Sequence, residues 1–217
     1  MTGKDGLRLG GGSGPDGLLV RAGFASAAVA ALACLFLAPP GRPAVRTPDA
    51  GAVPSSASAA GAAHAASPPL ALAVPGHVER IPVDPVTIGT GGVLALPASP
   101  SRMGWWALGA HPGAARGTLL LAGHLDTADE GAGPLEGLHT VPLGARAHIT
   151  TADGARHTYR IVARRTYPKS ELPADLFSAE GAPRLALVTC AGTFDRKAHA
   201  YADNLVLYGV AEGGTRR

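Results

Sequence analysis

Proline and glycine punctuate this chain so densely that little room is left for long helices. The 217 residues include 30 Gly and 19 Pro, and after residue 70 Pro82, Pro85, Pro97, Pro100, Pro168 and Pro173 break the chain into short pieces. Each proline removes a backbone donor and biases the residue before it towards extended conformations. Between the breaks lie apolar runs of strand length. Gly117 to Ala122 (Gly-Thr-Leu-Leu-Leu-Ala) and Arg184 to Thr189 read as buried strands, and Asn204 to Val210 as a last one. Ala147 to Thr150 and His157 to Val162 flank Thr151-Ala152-Asp153-Gly154, where Asp-Gly predicts a type I′ hairpin. The expectation is an all-β domain, a compact closed barrel with only short helices.

The N-terminal third has another character. Residues 1–17 are Gly-rich with scattered charge and read as a disordered tail. From Ala22 to Ala38 no residue is charged, and Pro39-Pro40 ends the run. Counted from Leu18, with Arg21 snorkelling, it is long enough to span a bilayer. Lys4, Arg8 and Arg21 precede it, so the positive-inside rule places the N-terminus in the cytoplasm and the remainder outside the cell. A single-pass signal-anchor over 18–38 is therefore expected. Residues 39–74, rich in Pro, Ala, Ser and Gly, read as a disordered linker. Eight of the ten aromatic residues lie from Trp105 onward, which puts the folded domain at about 75–211, followed by a disordered tail over 212–217.

Composition excludes several functions. A formal charge of +3 without Lys/Arg clusters gives no footprint for nucleic acid. No P-loop is present, and Gly10-Gly11-Gly12 precedes no strand-helix unit. Two cysteines make neither a disulfide scaffold nor a Cys-rich zinc site, and no His-x-x-x-His or Cys-x-x-Cys occurs, so no metal or cofactor is expected. The cysteines, Cys34 in the apolar run and Cys190 in the domain, are not expected to pair.

Cys190 stands where the strand Leu185-Ala186-Leu187-Val188-Thr189 meets Ala191-Gly192. The plain alternative is a buried inert thiol. An exported thiol is exposed to oxidation, which makes use as a nucleophile the better explanation. A nucleophilic thiol needs an imidazole nearby. His124, in Ala122-Gly123-His124-Leu125-Asp126, also follows a strong strand. His199 is its rival; His148 and His157 look like ordinary strand-face residues. Arg196, six residues after Cys190, is a candidate for stabilising an oxyanion.

Together these strings resemble a sortase. They are Leu120-Leu121-Ala122-Gly123-His124-Leu125-Asp126-Thr127, Tyr167-Pro168-Lys169, Leu187-Val188-Thr189-Cys190-Ala191-Gly192-Thr193-Phe194-Asp195-Arg196, and Tyr201-Ala202-Asp203-Asn204-Leu205-Val206-Leu207-Tyr208. They match the class F type of actinobacteria best, and Trp105-Trp106 fits as well. The resemblance implies a membrane-anchored barrel of about eight strands. It implies a cysteine transpeptidase that cleaves an LPXTG-like sorting signal in surface proteins and joins the new carboxyl end to an amine, such as lipid II or a peptidoglycan cross-bridge. Cys190 would be the nucleophile and His124 the general acid and base. Arg196 and Thr189 would hold the oxyanion, with Asn204 and Asp126 as further positioning residues. The family implies no organic cofactor, though some members use calcium; a monomer is expected. Two departures stand out. The family's essential arginine lies on the final strand, where a count from Cys190 reaches Asp203-Asn204 instead. The segment from Gly131 to Thr140 lacks the family's usual large aromatic.

Two other readings bear on the same residues. A cell-wall L,D-transpeptidase has His before Cys but wants a Gly-Cys-x-Arg cluster, which Thr189-Cys190-Ala191 lacks; papain-like hydrolases reverse the order of Cys and His. A catalytically inactive, sortase-like surface binding module would need no reactive thiol.

Overall fold

The computed structural model describes residues 47–55, 66–89 and 93–212. The expected N-terminal tail and membrane anchor, Cys34 with them, and residues 213–217 of the expected C-terminal tail lie outside the described residues. Among the described residues no helix is long and apolar enough to cross a membrane.

Among the described residues eleven strands follow one another: β1 (Ala50–Gly51), β2 (Pro69–Val74), β3 (Val78–Val86), β4 (Met103–Trp106), β5 (Thr118–Ala122), β6 (Asp126–Thr127), β7 (Gly131–Ala132), β8 (Arg146–Thr151), β9 (Arg156–Pro168), β10 (Arg184–Asp195) and β11 (Ala200–Ala211). The main sheet runs β1-β9-β11-β10-β5-β4-β3-β2-β8, and β8 pairs back onto β9. Eight strands thus close into a barrel, as expected, with β1 added beside β9. The pairs β3–β4 and β5–β10 are parallel, and the other pairs in the barrel are antiparallel. Among the described residues, 3₁₀ turns lie at Pro134–Thr140, Lys169–Glu171 and Ala174–Phe177.

The continuous apolar sequences of β5, β10 and β11 have a direct cause: these strands are buried on both faces. Leu119, Leu121, Leu185, Leu187, Leu205 and Leu207 fill the barrel with Met103, Trp105, Ile149 and Ile161. The alternate residues Leu120, Ala122, Ala186, Val188, Val206 and Tyr208 face outward. Trp106, Leu172 and Leu176 cover them. The Trp106 indole N–H donates to the Phe177 carbonyl (3.1 Å), which fixes the covering turn.

Three sequence expectations are corrected. The hairpin loop at Asp153-Gly154 is not type I′. Thr151 N–H donates to the Ala155 carbonyl, and only Gly154 has positive φ (81°). This is a three-residue loop with glycine in the left-handed position. Cys190 does not end its strand, because β10 continues to Asp195 through a bulge between Ala191 and Phe194. The folded unit also begins before Pro75, since β2 occupies 69–74 and residues 47–55 lie along β9. Backbone hydrogen bonding decides the last point, where composition had suggested a linker. Asp49 Oδ1 accepts from Thr166 N–H (2.8 Å), and the Arg165 guanidinium donates to the carbonyls of Ala50 and Gly51. Arg184, buried across the Tyr208 ring, donates to the Pro54 carbonyl and pairs with Asp175.

Gly137 lets the turn at Pro134–Thr140 close against the β2–β3 corner: a Cβ there would stand 2.0 Å from the His77 carbonyl oxygen, which is backbone and cannot swing away. Gly137→Ala is expected to destabilise the domain by about 2–3 kcal/mol through overpacking. Calorimetry should show the midpoint falling by about 5–10 °C; an unchanged midpoint would mean that this turn does not pack as described.

Candidate active site

The site lies on the outward face of β10, beyond the end of β5. Cys190 stands opposite Asn204 of β11, and Asn204 stands opposite Tyr167 of β9. Side chains paired across antiparallel strands share a face, so these three form one row. The parallel pairing of β5 with β10 runs up to Ala122 opposite Val188. Two hydrogen bonds carry it further: Gly123 N–H donates to the Val188 carbonyl (3.1 Å), and the Thr189 hydroxyl donates to the Gly123 carbonyl (3.1 Å). His124 is thereby held beside the Cys190 segment. Thr189, expected to serve the oxyanion, has its hydroxyl committed to this tie.

His124 is 5% exposed. Burial pushes its pKa down to about 4, a hydrogen bond from the ring to the Pro97 carbonyl opposes the shift, and the Lys169 charge adds to it. The ring is neutral at physiological pH. With an N–H committed to Pro97, the other ring nitrogen carries the lone pair.

Asp126 is buried and accepts from the Tyr201 hydroxyl (2.5 Å). Tyr201 packs with Phe194, Leu125 and Cys190, forming an apolar wall at the far end of the row. Asn204 is fully buried, and neither amide atom has a hydrogen-bond partner among the described residues. A buried amide without partners costs about 1–3 kcal/mol, so its place beside the thiol calls for a reason.

Arg196 is not brought to this row. It lies exposed in the turn beyond Asp195, as does His199. Five residues of strand separate the Cys190 row from Asp195, roughly 16 Å of extended chain.

Two neighbours escaped the sequence reading. The His139 ring donates through Nε2 to the Cys190 carbonyl (3.1 Å), and its Nδ1 meets the Thr47 hydroxyl (3.0 Å). This contact spans 51 residues, and no local pattern announces it. Lys169 belongs to one of the strings that carried the family resemblance, yet nothing in its sequence surroundings gave it a role. Among the described residues no group of three or more His, Cys, Asp or Glu is placed to hold a metal ion.

The expectation of a lone reduced thiol is not met in this state. Cys190 is disulfide-bonded. Chemistry at this sulfur starts from the reduced protein.

Burial favours neutral imidazole at both His124 and His139, since desolvation lowers both pKa values. Between about pH 6.5 and 4 the unfolded chain binds more protons than the folded one, so stability is fully present above 6.5 and lost on acidification. For His124 alone the loss is about 2–3 kcal/mol. Denaturation between pH 7 and pH 4 should show this slope, and His124→Asn should flatten it; an equal slope in the variant would contradict the burial of a neutral ring.

A family model for the sortase domain matches residues 72–212. A search of curated proteins returns no match. Among solved structures, Streptococcus agalactiae sortase C1 in complex with MTSET aligns at 14% identity and TM-score 0.50, covering 67% of this chain and 69% of that one. Sortase A from Corynebacterium diphtheriae aligns at 16% identity and TM-score 0.52, covering 71% of this chain and 65% of that one. A lid mutant of the S. agalactiae sortase C1 gives 17% and 0.52, with coverages of 68% and 70%. At these identities the structural likeness speaks for the fold. The family match spans well over half of the sequence and contains both His124 and Cys190: this chain belongs to the sortase family.

Proposed function

We propose that this protein is a membrane-anchored cysteine transpeptidase of the class F type. In this reading it cleaves an LPXTG-like sorting signal and passes the acyl group to an amine of the cell wall, such as lipid II or a peptidoglycan cross-bridge. The observation that carries the reading is the pair of hydrogen bonds that hold Gly123, and with it His124, beside the Cys190 segment, with the Asn204 amide across from the sulfur.

The steps follow from those positions. In the reduced protein the Cys190 sulfur attacks the scissile carbonyl carbon, and the thiol proton passes to neutral His124. The carbonyl oxygen takes up negative charge, and the Asn204 amide N–H donates to it. The C–N bond breaks, His124 gives its proton to the departing amine, and a thioester remains on Cys190. An incoming amine then attacks the thioester carbon. The C–S bond breaks, and the amine's proton returns through His124 to the sulfur. The barrel holds every partner on a strand or directly after one, which suits the tolerance such chemistry requires.

The expected membrane helix over residues 18–38, with its cytoplasmic N-terminus, would set the barrel on the outer surface, where sorting signals and wall amines meet. Residues 47–55 bind along β9, so any tether would begin at this strap and not at Pro75.

With a fluorogenic peptide containing LPETG and a reductant present, Cys190→Ala and His124→Ala are expected to abolish release of the leaving fragment. Asn204→Leu is expected to lower kcat by about 10²-fold. Arg196→Ala should leave the rate near that of the wild type. Full activity of Cys190→Ala would overturn the assignment of the nucleophile, and a collapse in Arg196→Ala would return the oxyanion role to the hairpin turn. Omitting the reductant should suppress turnover in every active variant.

A further inference from the structure

The site as described holds a thiol, a neutral imidazole and a neutral amide, while the reaction develops a full negative charge. One cation lies close by. Lys169 directly follows Pro168, which pairs with Asp203, one position beyond the Tyr167–Asn204–Cys190 row. Lys169 opens the 3₁₀ turn Lys169–Glu171 directly after β9, so its backbone lies next to the strand end that carries Tyr167. Two observations agree with this placement. The Lys169 Nζ is buried and has no hydrogen-bond partner among the described residues. Its charge is felt at the His124 ring.

An ammonium buried without a carboxylate is costly, and the protein registers the cost: desolvation pulls the Lys169 pKa down to about 8. The group is still mostly protonated at neutral pH. None of the ion pairs in the described residues engages it. A cation kept dry beside a nucleophile and an unpartnered amide has a clear use once an anion forms between them.

We propose that Lys169 is the cation of this site, its Nζ donating to the scissile carbonyl oxygen and stabilising the negative charge that develops there when Cys190 attacks. The proposal rests on the transpeptidase reading above. It fills, from the turn that follows β9, the cationic role that the resemblance placed on the final strand, where this chain carries Asp203 and Asn204 and no arginine. Lys169 has a second effect from the same position. Its charge disfavours protonation of His124, which keeps the ring available to take the thiol proton.

The test compares reduced wild-type protein, Lys169→Met and Lys169→Arg, using the LPETG fluorogenic peptide and, separately, iodoacetamide. Alkylation requires a reactive sulfur but forms no oxyanion, so the two probes separate oxyanion binding from thiol activation. Lys169→Met is expected to lower kcat/KM for the peptide by about 10²–10³-fold. Its alkylation rate at Cys190 should change by less than about tenfold. Its melting midpoint should hold or rise, because a desolvated charge has been removed. Lys169→Arg should recover most of the lost rate. Peptide turnover by Lys169→Met within about threefold of wild type would overturn the proposal. So would equal losses in turnover and alkylation, since the lysine would then act on the sulfur alone. Wild-type protein that cleaves no peptide would overturn the transpeptidase reading and this one together, an outcome distinct from the other two.

Discussion

The parallel pairing of β5 with β10 is the constraint on which the rest of this site depends. Neither His124 nor Cys190 has a local reason to meet the other, since 66 residues separate them in sequence. The pairing aligns Thr118 with Arg184 and Ala122 with Val188, and the Gly123 and Thr189 hydrogen bonds extend it to the reacting groups. Parallel strands need a long connection between them. Here that connection contains β6 to β9, and β9 with the turn after it returns to supply Tyr167 and Lys169 on the other side of β11. One strand order therefore places the imidazole on one flank of the thiol and the ammonium on the other.

Burial on both faces of β5, β10 and β11 serves the chemistry as well as the fold. Inside, leucines and Trp105 fill the barrel. Outside, Leu172, Leu176 and Trp106 cover the lower part of the same strands. The reacting row sits just past this cover, where polar groups are held in a dry surrounding. Desolvation is the leading cause of the depressed pKa values at both His124 and Lys169. It makes the histidine a neutral base and leaves the lysine a cation without an anion, two states that suit an attack generating negative charge.

Much of this was legible in the sequence because the decisive signals are local. The apolar runs of β5, β10 and β11 could be read directly, since strands buried on both faces show no polar alternation. His124 and Cys190 stood out as chemistry-bearing residues at the ends of those runs. Pairings that depend on distant chain could not be read. Composition made residues 47–55 look like linker, although backbone hydrogen bonds and Arg165 hold them to β9. The Asp-Gly pair announced a hairpin but not its loop type, which one extra residue decided. Arg196 drew attention by its nearness in sequence to Cys190, yet extended strand carries it away along the barrel. Lys169 and His139 reach the site only through β9 and the turn at Pro134–Thr140.

The central claim is that Cys190, once reduced, accepts an acyl group from a peptide carbonyl within this row. Intact-mass spectrometry of the reduced full chain, acid-quenched during incubation with an LPETG-containing peptide and then digested, tests it most directly. The expected result is a mass increase equal to the LPET acyl fragment, located on the peptide that contains Cys190 and removed by hydroxylamine. An adduct on another residue, or cleavage of the peptide by a protein in which Cys190 has already been alkylated, would contradict it.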